Sequence, residues 1–205
     1  MAERLGRRLI LASGSLSRRQ MLTAAGVVFD VVPADVDEAA IRQSLALAQR
    51  GIDPERVASA LAAAKAMEVS VRYPEALVIG ADQVLALDDI IFEKVPDLAS
   101  ARVILKRLRG RRHALHSAVA LATGGAPVWQ TIDTARLSMR AFSDAFLEQY
   151  VAHTGDAILA SVGCYHFEGA GAQLFDRVAG DYFTILGLPL IPLLGELRRQ
   201  GVLAA

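Results

Sequence analysis

Apolar runs of strand length alternate with helical stretches through the first half of the chain, and then give way to runs joined as hairpins. Parallel strands need a long crossover and antiparallel strands only a short turn. This order therefore predicts an α/β fold on a mixed sheet. Leu9–Ala12 reads as a buried strand, and Ala76–Ala81 as another that ends at Asp82. Val27–Pro33 is a further strand, and Gln83–Leu87 with Ile90–Phe92 forms a hairpin about Asp88 and Asp89. Arg112–Ala122, Val128–Arg140, Tyr165–Phe167 and Gln173–Val178 complete the set. Helices are expected after Ser15, over Ala39–Arg50 stopped by Gly51, and over Glu55–Val71 behind an Asp53-Pro54 start. Others run from an Asp97 cap to about Arg109, over Ala145–His153 behind Ser143, and over Leu188–Gln200. Residues 1–205 read as one domain of two lobes, with a strand-rich middle lobe over roughly 76–180.

Composition narrows the function classes. Hydrophobic residues make up 53% of the 205, which excludes a disordered chain. Lys+Arg and Asp+Glu are equal at 22 each, so no global charge draws the chain to nucleic acid or anionic lipid. Any anion site must be local. The single cysteine, Cys164, leaves no disulfide framework and fits a reducing compartment. Tyr182–Gly195 carries Pro189 and Pro192 and is too short to span a membrane. Leu9–Ala12 is too short for a secretory signal. The expectation is a soluble cytoplasmic protein.

The stretch Leu9–Leu22 packs three serines, a glycine and the pair Arg18-Arg19 between a strand and a helix. Small residues let backbone approach a ligand, helix-start N–H groups carry partial positive charge, and guanidinium forks suit phosphate. It reads equally as an anion cradle or as an ordinary turn with a serine N-cap. Glu38 and Asp82 fall at element ends and could together hold Mg²⁺ or Mn²⁺, or be two solvated loop acids. Lys65 is odd within an alanine-rich helical face unless it snorkels or meets an anion, and Lys94 follows a strand. The run Lys106, Arg107, Arg109, Arg111, Arg112 is better read as cations complementing a helix C-terminus than as a binding patch. No G-x-x-x-x-G-K-[ST] loop and no G-x-S-x-G elbow occurs. His113 and His116, three apart on a strand, point to opposite faces and cannot chelate one metal.

Read in order, Leu-Ala-Ser-Gly-Ser-x-x-Arg-Arg-x-x-Leu (Leu11–Leu22), Asp37-Glu38, Ala64-Lys65-Ala66, Ile79-Gly-Ala-Asp82 and Glu93-Lys94 resemble the motifs of Maf proteins. Ser117-Ala-Val-Ala-Leu121, Gly169-x-Gly171 and Gly180-Asp-Tyr-Phe-Thr-Ile-Leu-Gly-Leu-Pro189 continue the series, so the resemblance spans nearly the whole chain. It implies a two-lobed Maf/inosine-triphosphatase-like α/β fold with an elongated mixed β-sheet and a central cleft, and a homodimer. The implied activity is that of a nucleoside triphosphate pyrophosphatase, which splits the α–β phosphate bond into a nucleoside monophosphate and pyrophosphate.

Carried over position by position, the resemblance gives Ser13, Ser15, Arg18 and Arg19 to the triphosphate. Lys65 and Lys94 would neutralise charge, Glu38 and Asp82 would hold a divalent cation (Mg²⁺ or Mn²⁺), and Asp82 would activate water. Ser15-Leu-Ser-Arg18-Arg19, Asp82-Gln83-Val84 and Glu168-Gly-Ala-Gly171 look like the branch acting on 7-methyl-GTP rather than that acting on dTTP and UTP. Gln83 and Glu168 are thereby candidate substrate-binding residues. An ionised Glu168 suits the N–H donors of a cationic 7-methylguanine, with Tyr165 or Phe167 as a stacking partner, or else is a solvated loop glutamate beside core aromatics. Leu16 replaces a family proline, and Glu93-Lys94-Val95 stands where Gly-Lys-Pro is usual, with the glutamate poised to weaken the lysine's hold on phosphate. The competing readings are a dTTP/UTP pyrophosphatase of the same family and, from another class, a nucleotide-binding regulator of septum formation without turnover.

Overall fold

The computed structural model describes residues 7–48, 53–88 and 90–204. Gln49, Arg50, Gly51 and Asp89, which the sequence reading placed at a helix end and in a hairpin, lie outside them. The strands are β1 (Leu9–Leu11), β2 (Asp30–Val31), β3 (Leu77–Leu87), β4 (Ile90–Phe92), β5 (Arg112–Thr123), β6 (Ala126–Met139) and β7 (Phe175–Ala179). The helices are α1 (Leu16–Ala24), α2 (Glu38–Ala48), α3 (Pro54–Arg72), α4 (Leu98–Leu108), α5 (Asp144–Thr154), α6 (Tyr182–Ile185) and α7 (Leu190–Arg199). The strands form one mixed sheet in the order β2-β1-β3-β5-β6-β7, with β4 added on β3. β1 pairs in parallel with β2 and β3, and every other pairing is antiparallel.

Strand β3 differs from expectation in one decisive respect. The sequence reading ended a strand at Asp82, whereas β3 runs unbroken from Leu77 to Leu87. Along one edge, β1 covers only Leu77–Ile79 and β4 only Leu85–Leu87. Between them the edge is open to a cleft, while the Asp82 side chain points to the face covered by α3, where Lys65 meets it. The other edge pairs with β5 from Val78 to Ala86.

Side chains alternate across the sheet, and the two faces are packed differently. On one face α3 lies flat over β3 and β5, burying Val57, Ala58, Leu61 and Ala62 against Val84, Ala118 and Ala120. Its closest approach is at Gly80, where an added Cβ would stand 2.1 Å from the Ala62 carbonyl oxygen and 2.5 Å from the Ala66 nitrogen. The opposite face carries two cores. One gathers Leu9, Leu11, Ile79 and Leu121 under α1 and α7. The other gathers Leu85, Leu115 and Leu137 under α4 and α5, with Tyr165 and Cys164. Between them runs a polar row across three strands, Gln83, Ser117 and Asp133, in register. Thr184 of α6 sits on it. Its carbonyl accepts from Gln83 Nε2 (3.0 Å) and Ser117 Oγ (2.7 Å), and its hydroxyl donates to Asp133 Oδ2 (2.7 Å).

The expected strand at Tyr165–Phe167 is absent. That segment is a loop whose aromatics fill the second core. The expected strand at Val27–Pro33 is reduced to Asp30–Val31. The basic run at the end of α4 is largely paired: Arg109 and Lys106 with Asp144, Arg111 with Asp88, and Arg107 over the Phe92 ring.

Candidate active site

The cleft of about 860 Å³ opens beside the uncovered edge of β3. Its floor is the β1–α1 turn. Ser15 caps α1, its hydroxyl accepting from Arg18 N at 3.4 Å, and its own N–H donates to Ser13 Oγ. Both serines line the cleft, as do Gly14, Leu16 and Ser17. The first-turn N–H groups of a helix have no partner within it, so this end of α1 presents partial positive charge to the cleft.

Arg18 is 9% exposed and does more than face a ligand. Its Nε donates to the Gly187 carbonyl (2.8 Å), and Nη1 donates to both Ser13 Oγ (3.1 Å) and the Ala81 carbonyl (2.9 Å). The last of these satisfies β3 backbone where no strand covers it. Arg18 thus ties α1, β3 and the α6–α7 turn together, leaving Nη2 as the arm without a hydrogen bond among the described residues. Burial lowers its pKa from the ordinary arginine value, opposed by the negative charges of Asp82 and Glu38. Arg19 is exposed on α1 and does not line the cleft, so the structure does not bring it to the other candidates.

The two acids and one lysine do converge. Lys65 of α3 places Nζ 2.6 Å from Asp82 Oδ1 and 2.7 Å from Glu38 Oε1, with 13% of its side chain exposed. Asp82 is 7% exposed, and removing one partner from such a buried cluster would leave an uncompensated charge. The second oxygen of Glu38 accepts from Arg42 Nη2, one turn along α2 (2.9 Å). Desolvation is the largest single influence on Glu38 and raises its pKa. The hydrogen bonds and charges of Lys65 and Arg42 together outweigh it, so the net shift is downward.

Lys94 also lines the cleft and enters no ion pair among the described residues. Though Lys94 is exposed, partial desolvation within the cleft, then repulsion from Arg18 and Lys65, lowers its pKa from the usual lysine value, against the attraction of Asp82 and Glu38. Among the described residues no group of three or more His, Cys, Asp or Glu is arranged to hold a metal. Glu38 and Asp82, close enough to share one ammonium, are hard oxygen donors that could together hold a divalent cation.

At the far end the cleft is lined by Ala160–Val162 and His166–Glu168, with Glu168 exposed and Phe167 partly so. Tyr165 is 4% exposed, and its hydroxyl is 2.8 Å from His113 Nε2, so its ring is core rather than a stacking platform. Gln83 faces away from Asp82, and its Nε2 is committed to Ser117, Thr184 and Ile185. Sequence reasoning missed Arg42. Its one legible signal was the i, i+4 spacing from Glu38.

These features define a mixed α/β protein with a cleft that sets lysines, an arginine-braced helix start and paired carboxylates around room for a polyanion. Residues 8–200 match the family of Maf-like proteins, and the chain belongs to that family. A nucleoside triphosphate pyrophosphatase of Granulibacter bethesdensis is 49% identical over 196 residues, 96% of this chain and 98% of the relative. A 7-methyl-GTP pyrophosphatase of Rhizobium etli is 46% identical over 196 residues, with the same shares covered. One from Mesorhizobium japonicum is 48% identical over 196 residues, again 96% and 98%. A solved dITP/XTP pyrophosphatase from Mycobacterium abscessus aligns over 75% of this chain and 96% of its own, at TM-score 0.38 and 18% identity, too remote to bear on the fold. No helix among the described residues is long and apolar enough to cross a membrane.

Proposed function

We propose that this chain is a nucleoside triphosphate pyrophosphatase that prefers 7-methyl-GTP, releasing a nucleoside monophosphate and pyrophosphate. The observation that carries the reading is the convergence of Asp82, Glu38 and Lys65 in a cleft that is also lined by Lys94, unpaired among the described residues. Phosphoryl transfer is catalysed chiefly by positioning and charge stabilisation. The start of α1, Arg18 Nη2 and Lys94 hold the phosphates. Asp82 takes a proton from the attacking water as the α–β anhydride breaks, and Lys65 holds that carboxylate in place. Glu38 and Asp82 would hold the divalent cation, which when bound neutralises charge on the phosphate oxygens. Relatives named for 7-methyl-GTP, together with Glu168 at the base end of the cleft, favour the methylated nucleotide.

The test is pyrophosphate release from 7-methyl-GTP, GTP, UTP and dTTP with Mg²⁺ or Mn²⁺. The expected order places 7-methyl-GTP first. Glu168→Gln is expected to lower kcat/KM for 7-methyl-GTP by roughly tenfold, the cost of exchanging one charge-assisted hydrogen bond for a neutral one, with a smaller change for UTP. Equal losses on both substrates would remove Glu168 from base recognition. Nucleotide binding with no turnover anywhere in the panel would favour the regulatory reading instead.

A further inference from the structure

Arg42 stands at a junction that the proposed reaction does not use. Its Nη2 donates to Glu38 Oε2 at 2.9 Å, and its Nη1 donates to Glu93 Oε1 at 3.0 Å. Its Nε is buried with no hydrogen-bond partner among the described residues. A guanidinium that leaves a buried donor unmet forgoes about 1–3 kcal/mol unless its other contacts compensate, and here both compensating contacts are carboxylates. The result is a line of alternating charge, Glu93–Arg42–Glu38–Lys65–Asp82, that runs from the β4 loop through α2 and α3 to β3.

Glu93 is the immediate neighbour of Lys94. A flexible carboxylate beside a lysine is a ready counter-ion, and a lysine so neutralised is a poor phosphate ligand. In this structure the carboxylate is 3.0 Å from Arg42, and Lys94 has no ion-pair partner among the described residues. We infer that Arg42 is a positioning residue that holds Glu93 away from Lys94 and so leaves that lysine's charge uncompensated and free for the nucleotide's phosphates. The inference rests on the nucleotide-binding reading given above. Arg42 acts only through Glu93 in this role, because its own fork is occupied.

Two consequences follow from the geometry. Removing Arg42 frees Glu93 to pair with Lys94, so nucleotide affinity falls. Removing the charge of Glu93 in that background restores affinity, because nothing is left to neutralise Lys94. The Arg42–Glu93 pair is half-open to solvent, with side chains 27% and 64% exposed, so the effect is moderate and screened by salt.

The experiment is a binding cycle with a non-hydrolysable α,β-methylene nucleoside triphosphate, by titration at low and at moderate ionic strength. Wild type, Arg42→Met, Glu93→Gln and the double variant are compared, with thermal unfolding run on each. Arg42→Met is expected to weaken binding about three- to fivefold at low salt and less at higher salt. Glu93→Gln in that background is expected to restore affinity to within about twofold of wild type. Arg42→Gln serves in the same way should the methionine variant unfold early. Undiminished affinity in the Arg42 variants overturns the inference. So does a loss that persists once Glu93 is neutral, which would place Arg42's role at Glu38. A wild-type protein that binds no nucleotide at all would instead overturn the function itself.

Discussion

Asp82 is a carboxylate buried in mid-strand, and it is stable there only because Lys65 reaches it from α3 across the helix–sheet interface. Its partner makes the predicted effect of removing it specific. Asp82→Ala is expected to lower pyrophosphate release by roughly 10²–10⁴-fold, the range of a general base, while circular dichroism stays that of a folded protein. An active Asp82→Ala protein would take the base role from it. His113 makes a different residue-scale prediction. It is 2% exposed among Tyr165 and Phe175, and burial lowers its pKa from 6.5 to about 4. Between those values the unfolded chain binds a proton on this side chain that the folded chain does not. Stability fully present above pH 6.5 is therefore lost as the pH falls toward 4, by up to about 3 kcal/mol. Denaturant unfolding across that window is expected to show the slope, and His113→Phe to flatten it at some cost at pH 7 from the unmet Tyr165 hydroxyl. An unchanged slope would assign the acid sensitivity to other groups.

The contact of α3 with β3 is what sets Lys65 against Asp82, and its spacing depends on Gly80. Gly80→Ala places a methyl group inside the Ala62–Ala66 turn that brackets Lys65. The expected result is a loss of about 1–3 kcal/mol from overpacking. Activity is expected to fall on the order of 10²-fold even in the folded fraction, because the helix carrying the lysine is displaced from the strand carrying the acid. A Gly80→Ala protein of lower stability but full turnover would show that the interface tolerates the shift. Much of this arrangement was legible beforehand. Helix α3 and its Asp53 cap, the β5–β6 hairpin and the alternation of strand and helix all follow from period and capping residues, which are local. The convergence of Glu38, Lys65, Asp82 and Lys94 came only from the ordered family motifs. What stayed hidden was tertiary. Asp82 looked like a strand end because an apolar run stopped there, and nothing local records that the strand's edge opens on a cleft. The bracing role of Arg18 was equally hidden, since its carbonyl partners at Ala81 and Gly187 lie 63 and 169 residues away.

At the scale of the molecule, the chain as a whole has a formal charge of zero, so no long-range field guides a nucleotide to it. The cleft repeats that balance. Arg18, Arg42, Lys65 and Lys94 face Glu38, Asp82, Glu93 and Glu168, four cations against four carboxylates. A triphosphate adds several negative charges to this neutral wall, directly beside Asp82 and Glu38. The protein alone cannot offset them, because Lys65 and Arg42 are already engaged with those same acids. A divalent cation bound with the nucleotide would change the sum, since Glu38 and Asp82 could hold it and it would supply the phosphates with counter-charge. Binding of nucleotide and of cation should therefore be strongly coupled, and by linkage each should tighten the other. In thermal unfolding, 7-methyl-GTP is expected to raise the midpoint in a concentration-dependent way when Mg²⁺ or Mn²⁺ is present. With the cation removed by a chelator, the same nucleotide is expected to raise it far less, and pyrophosphate release to stop. Equal stabilisation with and without the cation would mean that Arg18, Lys94 and the start of α1 hold the triphosphate unaided, and that Glu38 and Asp82 are not metal ligands.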